Sequence, residues 1–282
     1  MELKQLFEDF LDDVKLFRTN GTYEFYKGTS KLMLEYFNEL KITEPTAITK
    51  RHLVAYVKRC RDNGISDNTI NKRILTLKTA FKKYEIKNVD VITFPKLRIE
   101  DKRYHCLTKN ELAKVISYLK TSKQSLQNKC LIMMFLNTGA RLLELLSVKV
   151  KDVNEAENCV LLRHTKGKKE RIVFFTNEFK TQFLAPYLAS TNLKPNDNLF
   201  TIAYSSVEKI FQRMRERLGI DKLSPHVLRH TLATTLVHNN CNLDVIANIL
   251  GHSDIKITKR YLHQDIENTR AIYNQCFKVA LA

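Results

Sequence analysis

Apolar residues recur at helical spacing through most of this chain. Residues 2–18 and 22–39 form two amphipathic segments, with Leu6, Phe7, Phe10, Leu11 and Val14 on one stripe and Tyr26, Leu32, Leu34 and Phe37 on the other. This is the pattern of helices that bury one face against a shared core. The same spacing predicts helices over about 49–62 and 67–85, the latter opened by Ser66 or Asp67 as cap. In the latter, Ile70, Ile74, Leu77, Phe81 and Tyr84 share a narrow stripe, and Lys72, Lys82 and Lys83 fall on the other side. In the helix before it, Leu53, Val57 and Cys60 oppose Arg51, Lys58 and Arg59. One stretch of sequence thus supplies both a core and a cationic outer face.

The pattern breaks at 94–106, FPKLRIEDKRYHC, where Pro95 and the loss of apolar periodicity predict an extended linker. Helical signals resume at Thr108, whose spacing to Glu111 is that of a capping box. The expected division is a helical domain over 1–95, a linker over 96–105 and a second domain over 106–282. Within the second domain, the β-prone runs CVLLR (159–163) and RIVFF (171–175) flank the polar TKGKKE (165–170), which predicts a hairpin or short sheet. Helices are expected over about 177–189, 204–218, 225–238, 243–250 and 266–278. The fold class is therefore mainly α with a small β-sheet, in two domains.

Charge adds a partner to this outline. The 282 residues carry 47 Lys plus Arg against 30 Asp plus Glu, a formal net charge of +17. The excess is uneven: residues 1–50 hold 7 basic and 9 acidic side chains, residues 51–98 hold 12 and 4, and the remaining +11 lies on 99–282. So basic a surface repels itself unless an anionic partner or solvent screens it, which makes a polyanion the leading partner. A charge run on a helix is otherwise only a solvated face. The longest apolar run, CLIMMFL at 130–136, is far short of the about 20 residues of a membrane span. The amino-terminal MELKQLFEDFLDD is acidic and lacks an apolar signal-peptide centre, so the protein is expected to be soluble and cytoplasmic. Cys60, Cys106, Cys130, Cys159, Cys241 and Cys276 form no C-x-x-C pair and are expected to be mostly buried thiols.

Four local signals carry candidate chemistry. In NTGARLLE (137–144) a turn at Gly139 leads into a helix whose first turn holds Arg141, suited to gripping phosphate beside free backbone N–H groups. Glu144, three residues on, is placed to orient that arginine or to remain a surface carboxylate. At the hairpin tip, Lys166 is either a solvated lysine or a cation able to protonate a leaving oxygen, with Lys168 and Lys169 as backbone contacts. In SPHVLRH (224–230) Ser224 fits an N-cap and Pro225 the first helical position, setting His226 and Arg229 on one face at an anion-attracting helix end. His226 and His230 have the i, i+4 spacing of zinc helices, but no glutamate follows His226 as a zincin requires, so no metal site is expected. Finally, Gly251 fits a helix end with His252 projecting from the turn, and Tyr261 follows nine residues later.

In order, Arg141, Lys166, His226, Arg229, His252 and Tyr261 resemble the active-site series of the tyrosine recombinases, the phage integrase family. The flanking TGARLLEL, KGKKERIV, SPHVLRHTLAT and LGHSDIKITKRYLH resemble the family's motifs as well. The catalytic resemblance covers about 105–282, and the amino-terminal helices are similar to the family's core-binding domain. The resemblance implies an α-helical core-binding domain followed by a mixed α/β catalytic domain of the integrase type. It implies that Tyr261 attacks a DNA phosphodiester, giving a 3′-phosphotyrosyl enzyme and a 5′ hydroxyl. Arg141 and Arg229 would neutralise the phosphate oxygens, Lys166 would be the general acid, with Lys168 its rival, and His226 would handle the tyrosine proton. His252 would hydrogen-bond the phosphate or assist His226, and Glu144 would be a support. No cofactor is implied. The expected partner is double-stranded DNA with specific recombination sites, bound through Arg51, Lys58, Arg59, Lys72, Lys82, Lys83, Lys168 and Lys169. A tetramer on DNA is implied, with residues 266–282 packed into a neighbouring protomer or folded back on their own domain. The expected role is integration or excision of a mobile element or phage. Alternatives are DNA relaxation like that of a type IB topoisomerase and a catalytically silent DNA-binding regulator. Charge and resemblance together predict a clamp on DNA around Tyr261.

Overall fold

In the computed structural model, described for residues 1–99, 105–163, 170–252 and 257–258, the chain divides into two compact units, Met1–Asp101 and Lys102–Ala282. The first is built from α1 (Leu3–Phe17), α2 (Asn20–Glu39), α3 (Lys50–Asp62), α4 (Asp67–Lys83) and the short α5 (Val89–Ile92). Its core collects Leu6, Phe7 and Phe10 from α1, Met33 and Phe37 from α2, Leu53 and Val57 from α3, and Ile70, Leu77 and Phe81 from α4. Ser66 caps α4, its hydroxyl accepting the Thr69 N–H, as a short polar side chain does for an otherwise unpaired amide. The buried face of α2 runs through Thr29, Ser30, Met33 and Phe37, and Leu32, expected on that face, is exposed. One helical step of about 100° separates Leu32 from Met33, enough to turn it to solvent.

Two features of this unit escape a periodicity reading. Helix α5 is a single turn, held by the buried Asn88, which accepts the Val91 N–H at 3.0 Å and donates to the carbonyls of Pro45 and Ile48. The start of the expected linker is fastened rather than extended away: Asn71 on α4 donates to the Leu97 carbonyl at 2.9 Å and accepts the Leu97 N–H at 2.8 Å. Phe94 is buried in the same core.

The second unit continues with α6 (Lys109–Thr121), α7 (Leu126–Thr138), α8 (Leu142–Leu146), a sheet of β1 (Val153–Asn154), β2 (Cys159–Leu162) and β3 (Arg171–Phe174), α9 (Asn177–Phe179), α10 (Ala185–Ala189), α11 (Tyr204–Leu218), α12 (Pro225–His238) and α13 (Leu243–Leu250). A π-helical turn, Lys180–Leu184, joins α9 to α10. The expected hairpin is present as the antiparallel pair β2–β3 in the register Cys159↔Phe174 to Leu162↔Arg171, with β1 on the other edge of β2. Arg163, which directly follows β2, bonds the buried Asp152 at 2.7 Å and Glu170, which directly precedes β3, at 3.3 Å. The Thr108–Glu111 capping box opens α6 as expected.

Helix α7 is the centre of this unit: Cys130, Leu131, Ile132, Met133, Met134 and Phe135 are all buried. A helix apolar on every side is a core helix, and no helix among the described residues is long and apolar enough to cross a membrane. It ends at Gly139, whose φ of +60° is left-handed. A Cβ there would stand 2.9 Å from side-chain carbons of Leu232 on α12 and Leu250 on α13, so the turn permits three helices to meet closely. Cys60 and Cys130 are buried, whereas Cys106, Cys159 and Cys241 are half-buried, which is less burial than expected.

Candidate active site

The turn after α7, the amino-terminal turn of α12 and the carboxy-terminal end of α13 come together. Arg229 on α12 is 5% exposed. It donates to the Gly139 carbonyl at 2.5 Å and the Leu250 carbonyl at 2.6 Å. Arg141, half-buried, donates to the Gly251 carbonyl at 3.2 Å. The two guanidinium groups are thus tethered to carbonyls of consecutive residues. Both also sit at the negative end of α13, where backbone carbonyls lack helical partners and cations are favoured.

Arg141 is not within the first turn of α8, as the sequence suggests, but stands at its N-cap in extended conformation. Its own N–H is given to the Glu144 carboxylate at 2.8 Å, and its guanidinium to the same carboxylate at 2.7 Å. Glu144 is therefore no surface residue; it is 2% exposed. Its second partner, Arg171 at the start of β3, spans both carboxylate oxygens at 3.0 and 2.7 Å. Burial opposes ionisation of Glu144. The Arg171 bonds, the Arg141 N–H and the Arg171 charge outweigh that and hold its pKa at about 2. Sequence reasoning missed Arg171, which reads there only as the first residue of a β-prone run.

Because the Glu144 pKa is lowered on folding, its contribution is complete above the ordinary carboxylate range and is lost as pH falls toward about 2. Glu144→Gln is expected to cost about 3–5 kcal/mol at neutral pH, since it leaves two arginines short of a counter-charge. Urea unfolding of both proteins from pH 7 downward should show the gap narrowing as the wild-type carboxylate protonates.

Three imidazoles surround the arginines. Gly251, left-handed at φ +63°, ends α13, and His252 follows, its Nδ1 2.8 Å from the Thr258 hydroxyl. Burial, then the charges of Arg229 and Arg141, push the His252 pKa down to about 4. His230, half-buried, is brought to about 4 by burial and by His226 and Arg229. His226 is exposed, yet partial desolvation and the charges of Arg229 and Arg141 lower its pKa, with Glu208 acting in the opposite sense. All three shifts run below the ordinary imidazole value and so favour the neutral ring, which accepts as well as donates. No group of three or more His, Cys, Asp or Glu placed to hold a metal ion occurs among the described residues.

The structure thus brings Arg141, Glu144, His226, Arg229 and His252 into one site. Lys166, Lys168, Lys169, Tyr261 and the helix expected over 266–278 lie outside the described residues. In the first unit, Arg51, Lys58, Arg59, Lys72, Lys82 and Lys83 are all exposed, but they are not equivalent. Both terminal nitrogens of Arg59 engage Glu39, and Lys83 pairs with Asp13 at 2.6 Å. Arg51, Lys58, Lys72 and Lys82 pair with no carboxylate among the described residues.

The phage integrase family matches residues 105–268, and its N-terminal SAM-like domain matches residues 7–85. The tyrosine recombinase XerA of Saccharolobus solfataricus is 31% identical over 264 residues, 90% of this chain and 86% of that protein. The tyrosine recombinase XerD of Oceanobacillus iheyensis is 28% identical over 282 residues, 93% of this chain and 94% of that protein. Among solved structures, the Tn1549 transposon integrase in complex with circular intermediate DNA shares the fold. Its TM-score is 0.75 at 19% identity, covering 96% of this chain and 99% of that one.

Proposed function

The chain belongs to the phage integrase family of tyrosine recombinases, and from that premise we propose that it cuts and rejoins double-stranded DNA at specific sites through a 3′-phosphotyrosyl intermediate. The observation that carries this reading is the pairing of Arg141 and Arg229 on the adjacent carbonyls of Gly251 and Leu250. Two preorganised guanidinium groups beside imidazoles suit a phosphodiester whose oxygens gain charge in the transition state.

In this scheme the Tyr261 oxygen attacks the phosphorus and its proton passes to His226. The bond to the 5′ oxygen breaks, and that oxygen takes a proton from Lys166. Arg141 and Arg229 hold the non-bridging oxygens, His252 donates to one of them, and Glu144 keeps Arg141 in place. The new phosphotyrosyl bond retains the energy of the broken phosphodiester. A 5′ hydroxyl of another strand can therefore reseal it without metal or nucleotide. Four protomers would hold two duplexes, with residues 266–282 joining neighbours, in the cytoplasm on the nucleoid. The recombination sites would lie beside the protein's own gene, where mobile-element enzymes often act.

The test is incubation with nicked duplexes taken from DNA flanking the native gene, followed by denaturing electrophoresis. A denaturant-resistant protein–DNA adduct and exchange of strands between two duplexes are expected. Adduct without exchange, together with relaxation of supercoils by the monomer, would replace recombination with DNA relaxation.

The amino-terminal unit should supply grip. Lys72→Ala is expected to weaken DNA binding and reduce the salt slope by about one, as loss of one phosphate contact does. Arg59→Ala should change both less, because its guanidinium already serves Glu39. Fluorescence anisotropy over a salt series measures both, and equal slopes for Lys72→Ala and wild type would remove Lys72 from the interface.

A further inference from the structure

We infer that Arg171 is a positioning residue for the phosphate chemistry, setting the reach and residual charge of Arg141 through Glu144 and the end of α13 through the Ile249 carbonyl. The inference rests on the reading that Arg141 and His252 act on a DNA phosphate.

Three observations converge on it. First, an ionised carboxylate offers about four acceptor positions, and those of Glu144 are taken by two residues. Arg171 Nη1 and Arg141 Nη1 share Oε1, and Arg171 Nη2 and the Arg141 N–H share Oε2. Without Arg171, Glu144 would neutralise Arg141 alone and be at liberty to rotate. With it, one negative charge is divided between two cations, and Arg141 keeps positive charge for an incoming anion.

Second, Arg171 Nε donates to the Ile249 carbonyl at 3.0 Å. The carbonyls of Ile249, Leu250 and Gly251 thus each accept from a different arginine, Arg171, Arg229 and Arg141 respectively. The two proposed phosphate ligands take the second and third, and Arg171 completes the row at the helix end that leads into His252.

Third, the Arg171 guanidinium lies against the Gly251 Cα. A Cβ at Gly251 would approach Nη1 to 2.8 Å, Cζ to 2.9 Å and Nε to 3.0 Å. A flat fork pinned on both edges and stacked on a glycine has no counterpart in lysine, whose ammonium is a single compact point.

The test compares wild type, Arg171→Lys and Arg171→Met in single-turnover cleavage of the nicked site at saturating DNA. Each is assayed with a normal scissile phosphodiester and with a methylphosphonate that lacks one oxygen charge. On the phosphodiester both variants are expected to cleave about 10- to 100-fold more slowly, the usual range for residues that orient a reacting group, with Met slower than Lys and DNA affinity unchanged. On the methylphosphonate the deficit should shrink, because less charge has to be met by Arg141. Cleavage within about threefold of wild type, or an equal deficit on both substrates, overturns the inference. Where a variant fails a thermal-unfolding check, Gly251→Ala displaces the same guanidinium from its other side and is judged by the same substrate comparison. A wild-type protein that forms no adduct on any flanking DNA would instead overturn the proposed function.

Discussion

Tyr261→Phe is expected to abolish the covalent protein–DNA adduct while leaving DNA affinity essentially unchanged. The substitution deletes one oxygen and no ring, so packing and charge stay as they were, whereas the nucleophile is gone. Four other phenols, Tyr36, Tyr56, Tyr84 and Tyr187, are poor substitutes. Tyr36 donates to the His52 carbonyl, Tyr187 to the Leu199 carbonyl, and Tyr84 to Asp13. Burial and neighbouring charge push Tyr56, Tyr84 and Tyr187 up to about 12, further from the phenolate a nucleophile must approach. Denaturing electrophoresis after incubation with the nicked site decides the matter. An adduct of wild-type intensity in the variant would take Tyr261 out of the chemistry.

Arg229→Ala should lower single-turnover cleavage by about 10³- to 10⁵-fold, the range observed when an arginine that meets transition-state charge on a transferred phosphoryl group is removed. Its effect divides into two parts. The chemical part is loss of a cation held beside Arg141. The structural part is loss of the bridge between the Gly139 and Leu250 carbonyls; each buried carbonyl left without a donor costs about 1–3 kcal/mol. Arg229→Lys separates them, since it restores charge but cannot span both carbonyls. It should recover thermal stability in part and cleavage poorly. A folded Arg229→Ala protein cleaving within tenfold of wild type would exclude Arg229 from the phosphate site.

Much of this arrangement was legible in the residues because it is local. The stripes of α1, α3 and α4, the caps at Ser66, Thr108 and Ser224, and the glycine ends of α7 and α13 all depend on neighbours within one or two turns. So does the i, i+3 reach of Glu144 to Arg141. The single-turn α5 was not legible, since it exists through Asn88 bonding to Pro45 and Ile48 some forty residues away. Nor was the division among the basic residues: Arg59 and Lys58 are both exposed and adjacent on α3, and only the fold sets Glu39 beside the first.

The sequence by itself determined the helical identity of most elements and the hairpin, and it singled out Arg141, His226, Arg229 and His252 as candidates. Those follow from periodicity, capping and motif, which are properties of short segments. Tertiary structure alone decided which cations have partners. Arg171 lies 27 residues from Glu144 and 78 from Ile249, beyond the reach of any local pattern. Whether a charge is spent on a neighbouring carboxylate or kept for a ligand depends on distances of about 3 Å between groups far apart in the chain, and folding sets those distances.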